Sequence, residues 1–147
     1  MFLWGLKMTF LVTFKVPGKP QGKGRPRFAR RGKFVSTYTD EKTKTYENQI
    51  RDIAMVAMGA SEPLNTPLEA FIYISYPIPA SYSKTRKADC LSGLERPTKK
   101  PDIDNIVKTF LDSMNAIVYV DDAQVVDLFT TKVYGEPYVE VIIKETK

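Results

Sequence analysis

Four stretches of the chain either alternate apolar and polar residues or are rich in β-branched and aromatic side chains, and both patterns are typical of strands. The predicted strands are residues 9–16, 68–76, 125–134 and 138–144. Pro17 and Gly18 end the first strand, and residues 135–137, Gly-Glu-Pro, form a turn between the last two. The last two strands are therefore predicted to form a hairpin.

Two further stretches repeat apolar residues at helical spacing. Residues 40–58 form the first predicted helix, with Thr39 or Asp40 as its N-cap and Gly59 at its end. The second begins at Asp104, a good N-cap, and ends near residue 115. The apolar stripes are Tyr46, Ile50, Ile53, Ala54 and Ala57 in the first helix, and Ile106, Val107, Phe110, Leu111 and Met114 in the second.

The remaining stretches have no helical or strand periodicity. Residues 19–36 are rich in glycine and arginine and predict a loop or a loose hairpin. Residues 77–100 predict a long polar loop, whose length suggests a functional segment. Residues 117–120 are a short extended run in front of Asp121 and Asp122.

The order of strand, helix, strand, helix and hairpin predicts an α/β (α+β) fold, in which a mixed β-sheet has two main helices packed on it. The length of 147 residues fits one domain over residues 1–147. Residues 1–8 are expected to be a leader outside the core, with Met8 as an alternative start.

Composition limits the location of the protein. Hydrophobic residues make up 43% of the chain, which is enough for a buried core. The apolar runs are well short of the ~20 residues of a membrane span, and the start lacks the long apolar region of a signal peptide. The single cysteine, Cys90, cannot form an internal disulfide. We therefore expect a cytoplasmic protein with no membrane partner.

The chain contains no histidine. This excludes a Ser-His-Asp triad, a Cys-His pair, a His-ligated zinc and a nuclease with a histidine general base. Any catalysis must depend on carboxylates, lysines or tyrosines.

Two aspartates, Asp102 and Asp104, lie two residues apart after Pro101, which favours extended chain before it. In extended chain they point the same way. Two close carboxylates repel each other, and a hard divalent cation such as Mg²⁺ relieves that repulsion. Lys108 lies one helical turn beyond Asp104, on the same side, where it can stabilise a phosphate oxygen.

A second acidic pair, Asp121 and Asp122, follows the short extended run. Chain returning beside the start of the helix would bring one of the two to Asp102 and Asp104. Adjacent residues of a strand point to opposite faces, so this reasoning does not choose between them. An ordinary surface D-x-D and a solvated turn are the alternative interpretation of these acidic residues.

Positive charge is concentrated in the early loop. The formal net charge is +5, and residues 19–39 contain seven basic residues and no acidic one. Such a loop favours contact with nucleic-acid phosphates, and the alternative is a solvated basic loop. The candidate DNA-binding residues are Lys23, Arg25, Arg27, Arg30, Arg31 and Lys33 of this loop, with Lys99 and Lys100 before the first acidic pair.

Residues 101–108, Pro-Asp-Ile-Asp-Asn-Ile-Val-Lys, then Asp112, and then residues 119–126, Tyr-Val-Asp-Asp-Ala-Gln-Val-Val, resemble the signature of the RusA-type crossover junction endodeoxyribonucleases of bacteria, phages and prophages. Residues 23–28, Lys-Gly-Arg-Pro-Arg-Phe, are similar to the family as well. The resemblance covers most of the chain and is most specific over residues 100–127.

The resemblance implies a RusA-like fold and a role for four residues. Asp102, Asp104 and Asp122 match the catalytic, metal-binding aspartates, and Lys108 matches the catalytic lysine. The family also implies Mg²⁺, with Mn²⁺ as a substitute, a homodimer, and paired symmetric cuts in four-way junction DNA during recombination and repair. The segment 77–96 is longer than in the shortest members, so the family's sequence preference is not carried over.

Two other functions remain open from the sequence. A different metal-dependent nuclease would use a P-D…[DE]-x-K site, for which Pro101-Asp102 and Glu145-Thr146-Lys147 are the only match. A non-catalytic phage DNA-binding protein would need no acidic cluster. Cleavage that depends on Mg²⁺ excludes this last alternative.

Overall fold

The computed structural model describes residues 10–23, 27–32, 34–38 and 41–146, with the side chains of 27–29, 31 and 34–38 excepted. The predicted leader and the candidate caps Thr39 and Asp40 lie outside these residues. The strands are β1 (Leu11–Pro17), β2 (Arg27–Arg31), β3 (Phe34–Tyr38), β4 (Leu68–Tyr76), β5 (Val125–Tyr134) and β6 (Tyr138–Glu145). The helices are α1 (Glu41–Met58), α2 (Lys84–Ser92) and α3 (Ile103–Ser113), and Asp122–Gln124 form a 3₁₀ turn.

The main sheet has four strands in the order β1-β6-β4-β5. Strand β6 runs antiparallel to both β1 and β4, while β4 and β5 are parallel. The fold is therefore α+β with a mixed sheet, as the order of elements predicts. Strands β2 and β3 form a separate hairpin within the glycine- and arginine-rich segment.

The predicted hairpin between β5 and β6 is wrong. Strand β4 lies between them in the sheet, so the turn at residues 135–137 carries the chain over β4 instead of joining two neighbours. The N–H of Gly135 donates to the carbonyl of Tyr76 at the end of β4, at 2.8 Å, which fixes this crossing. Both strands alternate or are apolar, and a local pattern of this kind does not identify the pairing partner.

Helices α1 and α3 cover one face of the sheet. Strand β1 alternates exposed and buried residues, and its buried side chains Val12, Phe14 and Val16 share one hydrophobic core with the two helices. The rings of Tyr46 on α1 and Phe110 on α3 meet edge to face, with centroids 5.7 Å apart. The core thus fixes the position of α3 relative to the sheet.

The prediction of an unstructured loop over residues 77–100 is wrong, because this segment contains α2. The Ser83 side chain accepts a hydrogen bond from the N–H of Arg86 at its start, and Gly93 ends it with a φ of 86°. Cys90 is the buried residue of α2. A helix with so small a buried face lacks the apolar stripe on which the sequence prediction depends, and the sheet has three helices rather than two main ones.

Two local predictions before and after α3 also need correction. The N-cap of α3 is Asp102, whose side chain makes no cap hydrogen bond, and Asp104 lies inside the first helical turn. Residues 117–120 form a turn with isolated bridges to Asn115 and Leu64, rather than an extended run. Tyr119 in this turn is fully buried.

The face of the sheet opposite α1 and α3 carries large side chains that stay partly exposed. One row, Thr13, Ile142, Phe71 and Phe129, crosses all four strands. Phe71 and Phe129 stack with ring centroids 4.9 Å apart, and Phe129 keeps 55% of its surface exposed. We call this surface the open face.

Among the described helices, none has the length and apolar character to cross a membrane.

Candidate active site

The polar side of α3 carries three charged residues in register. Asp104, Lys108 and Asp112 follow each other at intervals of four residues, so they share one side of the helix. The opposite side is anchored in the core, where Ile106 and Phe110 are fully buried. The core therefore determines that these charged groups face away from it.

A cavity of about 320 Å³ lies against this side of α3. Helix α3 contributes the charged residues Asp104, Lys108 and Asp112 and the apolar residues Ile103, Val107 and Leu111 to its lining, and Asp122, Leu128 and Thr130 complete it. Asp121 is not part of the lining. Its N–H donates to the side chain of Gln124 at 2.9 Å, within the 3₁₀ turn. We call this cavity the acidic cavity.

Asp112 is the most connected charged group of the acidic cavity. Its Oδ2 atom lies 3.3 Å from Nζ of Lys23 and 3.4 Å from Nζ of Lys108. Burial favours the neutral acid, but hydrogen bonds with Asp122 and Lys23 and the charges of both lysines outweigh it, so the pKa of Asp112 is lowered. Asp112 is therefore an anion that joins α3 to the beginning of the basic loop.

The pKa of Asp122 is shifted in the opposite direction to that of Asp112. Burial and its contact with Asp112 raise the pKa of Asp122, although Asn115 partly opposes this shift. The Asn115 amide donates to Oδ2 of Asp122 at 3.2 Å, and its oxygen accepts from the N–H of Asp122 at 2.7 Å. The carboxyl groups of Asp112 and Asp122 are in contact, and a hard divalent cation relieves the repulsion between two such groups, so these donors fit Mg²⁺ in their chemistry.

The structure does not gather the predicted metal ligands into one compact group. Asp112 lies two helical turns, about 12 Å along the axis, from Asp104. Asp122 is hydrogen-bonded at the Asp112 end of the acidic cavity. Within the part of the chain that the structure describes, no group of three or more acidic or cysteine residues is close enough to hold a metal ion.

Asp102 lies on another side of the start of α3. Because Asp104 is helical, the alternation expected of extended chain does not apply, and Asp102 instead lines a larger groove with Lys100 and Asn105. The Lys132 side chain, on β5, donates to the carbonyl of Pro101 at 2.9 Å. Burial lowers the pKa of Lys132, and the charge of Asp102 opposes that shift. Lys132 therefore holds the chain that presents Asp102.

The candidate DNA-binding residues are dispersed. Lys23 is paired with Asp112, whereas Arg30, Lys99 and Lys100 are exposed. Arg25 and Lys33 lie outside the described residues, as do the side chains of Arg27 and Arg31. Lys23 thus links the basic loop directly to the acidic cavity.

Sequence reasoning gave no role to three residues of this site: Asp112, Asn115 and Lys132. Asp112 stands four residues after Lys108, and this spacing was the available signal for their ion pair. Asn115 and Lys132 had no such signal, because their positions depend on the turn after α3 and on the packing of β5.

Comparison with known proteins assigns the chain to the DNA nucleases, a class of hydrolases. The family model described as Endodeoxyribonuclease RusA matches residues 17–144. The chain therefore belongs to the RusA endodeoxyribonuclease family, as its signature residues indicate. It is also 38% identical over 138 residues to a protein of Bacillus subtilis (strain 168) described as "Uncharacterized protein YqaN", covering 91% of this chain and 96% of that protein.

Proposed function

We propose that the protein is a divalent-metal-dependent endonuclease that resolves Holliday junctions, which are four-way DNA junctions, by paired symmetric cuts during recombination and repair. The observation that carries this proposal is the acidic cavity, which Asp104, Lys108 and Asp122 all line, in a chain that the RusA family model matches over residues 17–144. The absence of histidine agrees with a mechanism in which carboxylates and lysines act on the phosphodiester.

Mg²⁺ is the proposed cofactor, with Mn²⁺ as a substitute, and Asp102, Asp104 and Asp122 are its proposed ligands. All three offer only carboxylate oxygens, the donors that hard divalent cations prefer. When bound, such a cation lowers the pKa of a coordinated water and offsets negative charge at the phosphate. Asn115 keeps the Asp122 carboxyl oriented, and Lys132 keeps the Asp102 segment in place.

Lys108 is the proposed catalytic lysine. Its side chain is 67% exposed and pairs with Asp112 at 3.4 Å. Its ammonium can turn to a phosphate beside α3, because Asp112 then still has Lys23 as its partner. Positive charge placed where negative charge develops stabilises the transition state. Lys23 reaches the same carboxylate from the basic loop, and it is proposed to bind DNA together with Arg25, Arg27, Arg30, Arg31, Lys33, Lys99 and Lys100.

A homodimer is proposed because one chain offers one acidic cavity, whereas a four-way junction presents two symmetry-related strands. A two-fold dimer supplies two sites with opposed polarity. Strands β4 and β6 are candidates for the interface, because their outward side chains belong to the same open face.

The open face suits a second copy of the chain better than DNA. Its lysines are already neutralised, since Lys144 lies 3.2 Å from Glu69 and Lys15 lies 4.0 Å from Glu140. Stacked aromatic rings at its centre provide apolar area, while phosphates would require unpaired positive charge. We therefore propose that two open faces pack against each other.

The decisive experiment compares a synthetic four-way junction with linear, nicked and flap DNA, with Mg²⁺ and with EDTA. We expect paired cuts in the junction that depend on Mg²⁺ or Mn²⁺, and little cutting of linear duplex. Equal cutting of linear duplex would favour a different metal nuclease. Tight binding without cleavage in any metal would favour a non-catalytic DNA-binding protein.

Replacing Asp112 by asparagine tests the ion pairs around α3. We expect junction cleavage to fall by roughly tenfold, in the range seen for residues that orient catalytic groups, because both lysines lose their anionic partner. Thermal stability should change by no more than about 1 kcal/mol, since partly exposed pairs contribute little.

Glu95→Gln is the matched control, because it removes the exposed ion pair of Glu95 with Arg86 on α2, at 2.9 Å, away from the acidic cavity. Its cleavage rate should stay near that of the wild type. Equal losses in Asp112→Asn and Glu95→Gln would contradict a specific role for Asp112.

A further inference from the structure

A groove of about 910 Å³ lies between the start of α1, residues 19–22 and the start of α3. Lys42 and Gln49 of α1 line one side, and Lys100 and Asp102 line the other. Tyr46 is buried beneath it, and burial raises the pKa of its hydroxyl, so the floor carries no charge. We call this cavity the α1 groove.

The walls of the α1 groove are held in place before any ligand binds. A Cβ atom on Gly22 would lie 2.9 Å from Cβ of Pro101, so the loop packs directly on the chain that leads into α3. The Asn105 amide donates to the carbonyl of Lys23 at 3.2 Å. The Tyr76 hydroxyl lies 3.3 Å from the carbonyl oxygens of both Pro20 and Lys100.

The chemistry of the α1 groove matches a nucleic-acid strand. Three lysines, Lys19, Lys42 and Lys100, outnumber the two carboxylates of the lining, Glu41 and Asp102, so positive charge remains for phosphates. Side-chain amides of Gln21, Gln49 and Asn105 can hydrogen-bond to base edges. Asp102, a proposed metal ligand, is one of the lining residues, so a strand in the groove would reach the proposed place of cutting.

The size of the α1 groove selects an unpaired strand. A cavity of about 910 Å³ has the volume of a cube of roughly 10 Å on a side, whereas the major groove of a DNA duplex alone is about 12 Å wide, so the cavity suits a single strand better than a duplex. We propose that the α1 groove binds an unpaired segment of the cut DNA strand next to the scissile phosphate, and that Lys42 contacts a phosphate of that segment. This inference rests on the proposed function, and it specifies which part of the junction DNA binds in the α1 groove.

The test compares Lys42→Ala with Lys44→Ala. Both lysines are exposed and lie in the first turn of α1, but Lys42 lines the α1 groove and Lys44 does not. Binding of a ten-nucleotide oligo-dT and of a four-way junction is measured over a range of salt concentrations. In Lys42→Ala we expect the slope of log K against log salt to fall by about 0.7, the value for one single-strand phosphate contact. Lys44→Ala should keep the wild-type slope.

A second measurement locates the contact on the DNA. Single phosphates of the junction are replaced by neutral methylphosphonates, one at a time, on both sides of the cut. Replacement of one particular phosphate should weaken DNA binding by the wild type and should not weaken binding by Lys42→Ala any further. Equal slopes for Lys42→Ala and Lys44→Ala, or a Lys42→Ala variant that responds to every methylphosphonate as the wild type does, would overturn the inference.

The outcomes separate this inference from the proposed function. If junctions are cut normally but the two lysine variants behave alike, the α1 groove does not hold the strand and the proposed function stands. If no junction is cut but oligo-dT binding depends on Lys42, the proposed function fails and the strand site stands.

Discussion

Replacing Asp104 by asparagine is expected to abolish DNA cleavage and to leave junction binding intact or tighter. The change keeps the size of the side chain and removes its charge, so a proposed metal ligand is lost while repulsion of the phosphate is reduced. Loss of residues that merely orient metal ligands costs about 10- to 100-fold, and loss of a ligand should cost at least about 100-fold. Gel-shift and cleavage assays on the same junction measure both properties.

The comparison with Asp112→Asn decides which carboxylates bind the metal. Asp102→Asn and Asp122→Asn should match the loss in Asp104→Asn, while Asp112→Asn should remain about tenfold below the wild type. Wild-type cleavage in Asp104→Asn would refute its assignment. A complete loss in Asp112→Asn with an active Asp104→Asn would move the metal site to the Asp112 and Asp122 end of the acidic cavity.

Replacing Phe129 by aspartate is expected to convert the proposed homodimer into monomers and to abolish paired cutting. Phe129 is 55% exposed and stacks on Phe71 in the centre of the open face. If two open faces pack together, an aspartate at this position would be buried in the interface as an unpaired carboxylate. Burying such a charge costs several kcal/mol, and each ~1.4 kcal/mol weakens association tenfold. The dimer dissociation constant should therefore rise at least about 100-fold. Analytical ultracentrifugation measures it directly.

Val56→Asp is the matched control for the interface. Val56 is an apolar residue on α1 with 84% of its surface exposed, so aspartate there adds the same charge without entering the open face. This variant should stay dimeric. Mixed dimers of wild-type and Asp104→Asn subunits should nick one strand and stop. A wild-type monomer at micromolar concentration, or mixed dimers that cut both strands together, would contradict the arrangement.

Strongly patterned elements were predictable from the sequence. Strand β4 begins and ends where its β-branched and aromatic run does, and β5 and β6 also agree closely with their predictions. Gly59 ends α1 with a φ of 57°, a conformation that favours glycine. In these segments the local preference and the tertiary environment favour the same structure.

Pairing and weakly buried elements were not predictable. Strand β6 lies between β1 and β4 instead of beside β5. This order depends on which strands bury their apolar sides together, and the sequence of the turn at residues 135–137 does not indicate it. Helix α2 is fixed by Cys90 and by its two caps. A nine-residue polar segment with one buried side chain has no periodicity to detect.

The candidate site was predictable in its residue types more than in its geometry. The spacing of Asp104 and Lys108 predicted a shared helix side, which the structure confirms. The contact between Lys23 and Asp112 joins residues 89 positions apart and exists only after the loop has packed on α3. Asp102 and Asp104 diverge because the N-cap of the helix is Asp102, two residues earlier than the predicted N-cap Asp104.

The position of β6 has a consequence for synthesis of the protein on the ribosome. Strand β6 follows the other described strands of the sheet in the chain, yet it fills the middle of the sheet, where Val139, Val141 and Ile143 are fully buried. Until residues 138–145 have emerged, β1 and β4 have no partner between them, and the sheet cannot close. The nascent chain therefore cannot complete this sheet, or the cutting centre that the sheet supports, before residues 138–145 have left the ribosome.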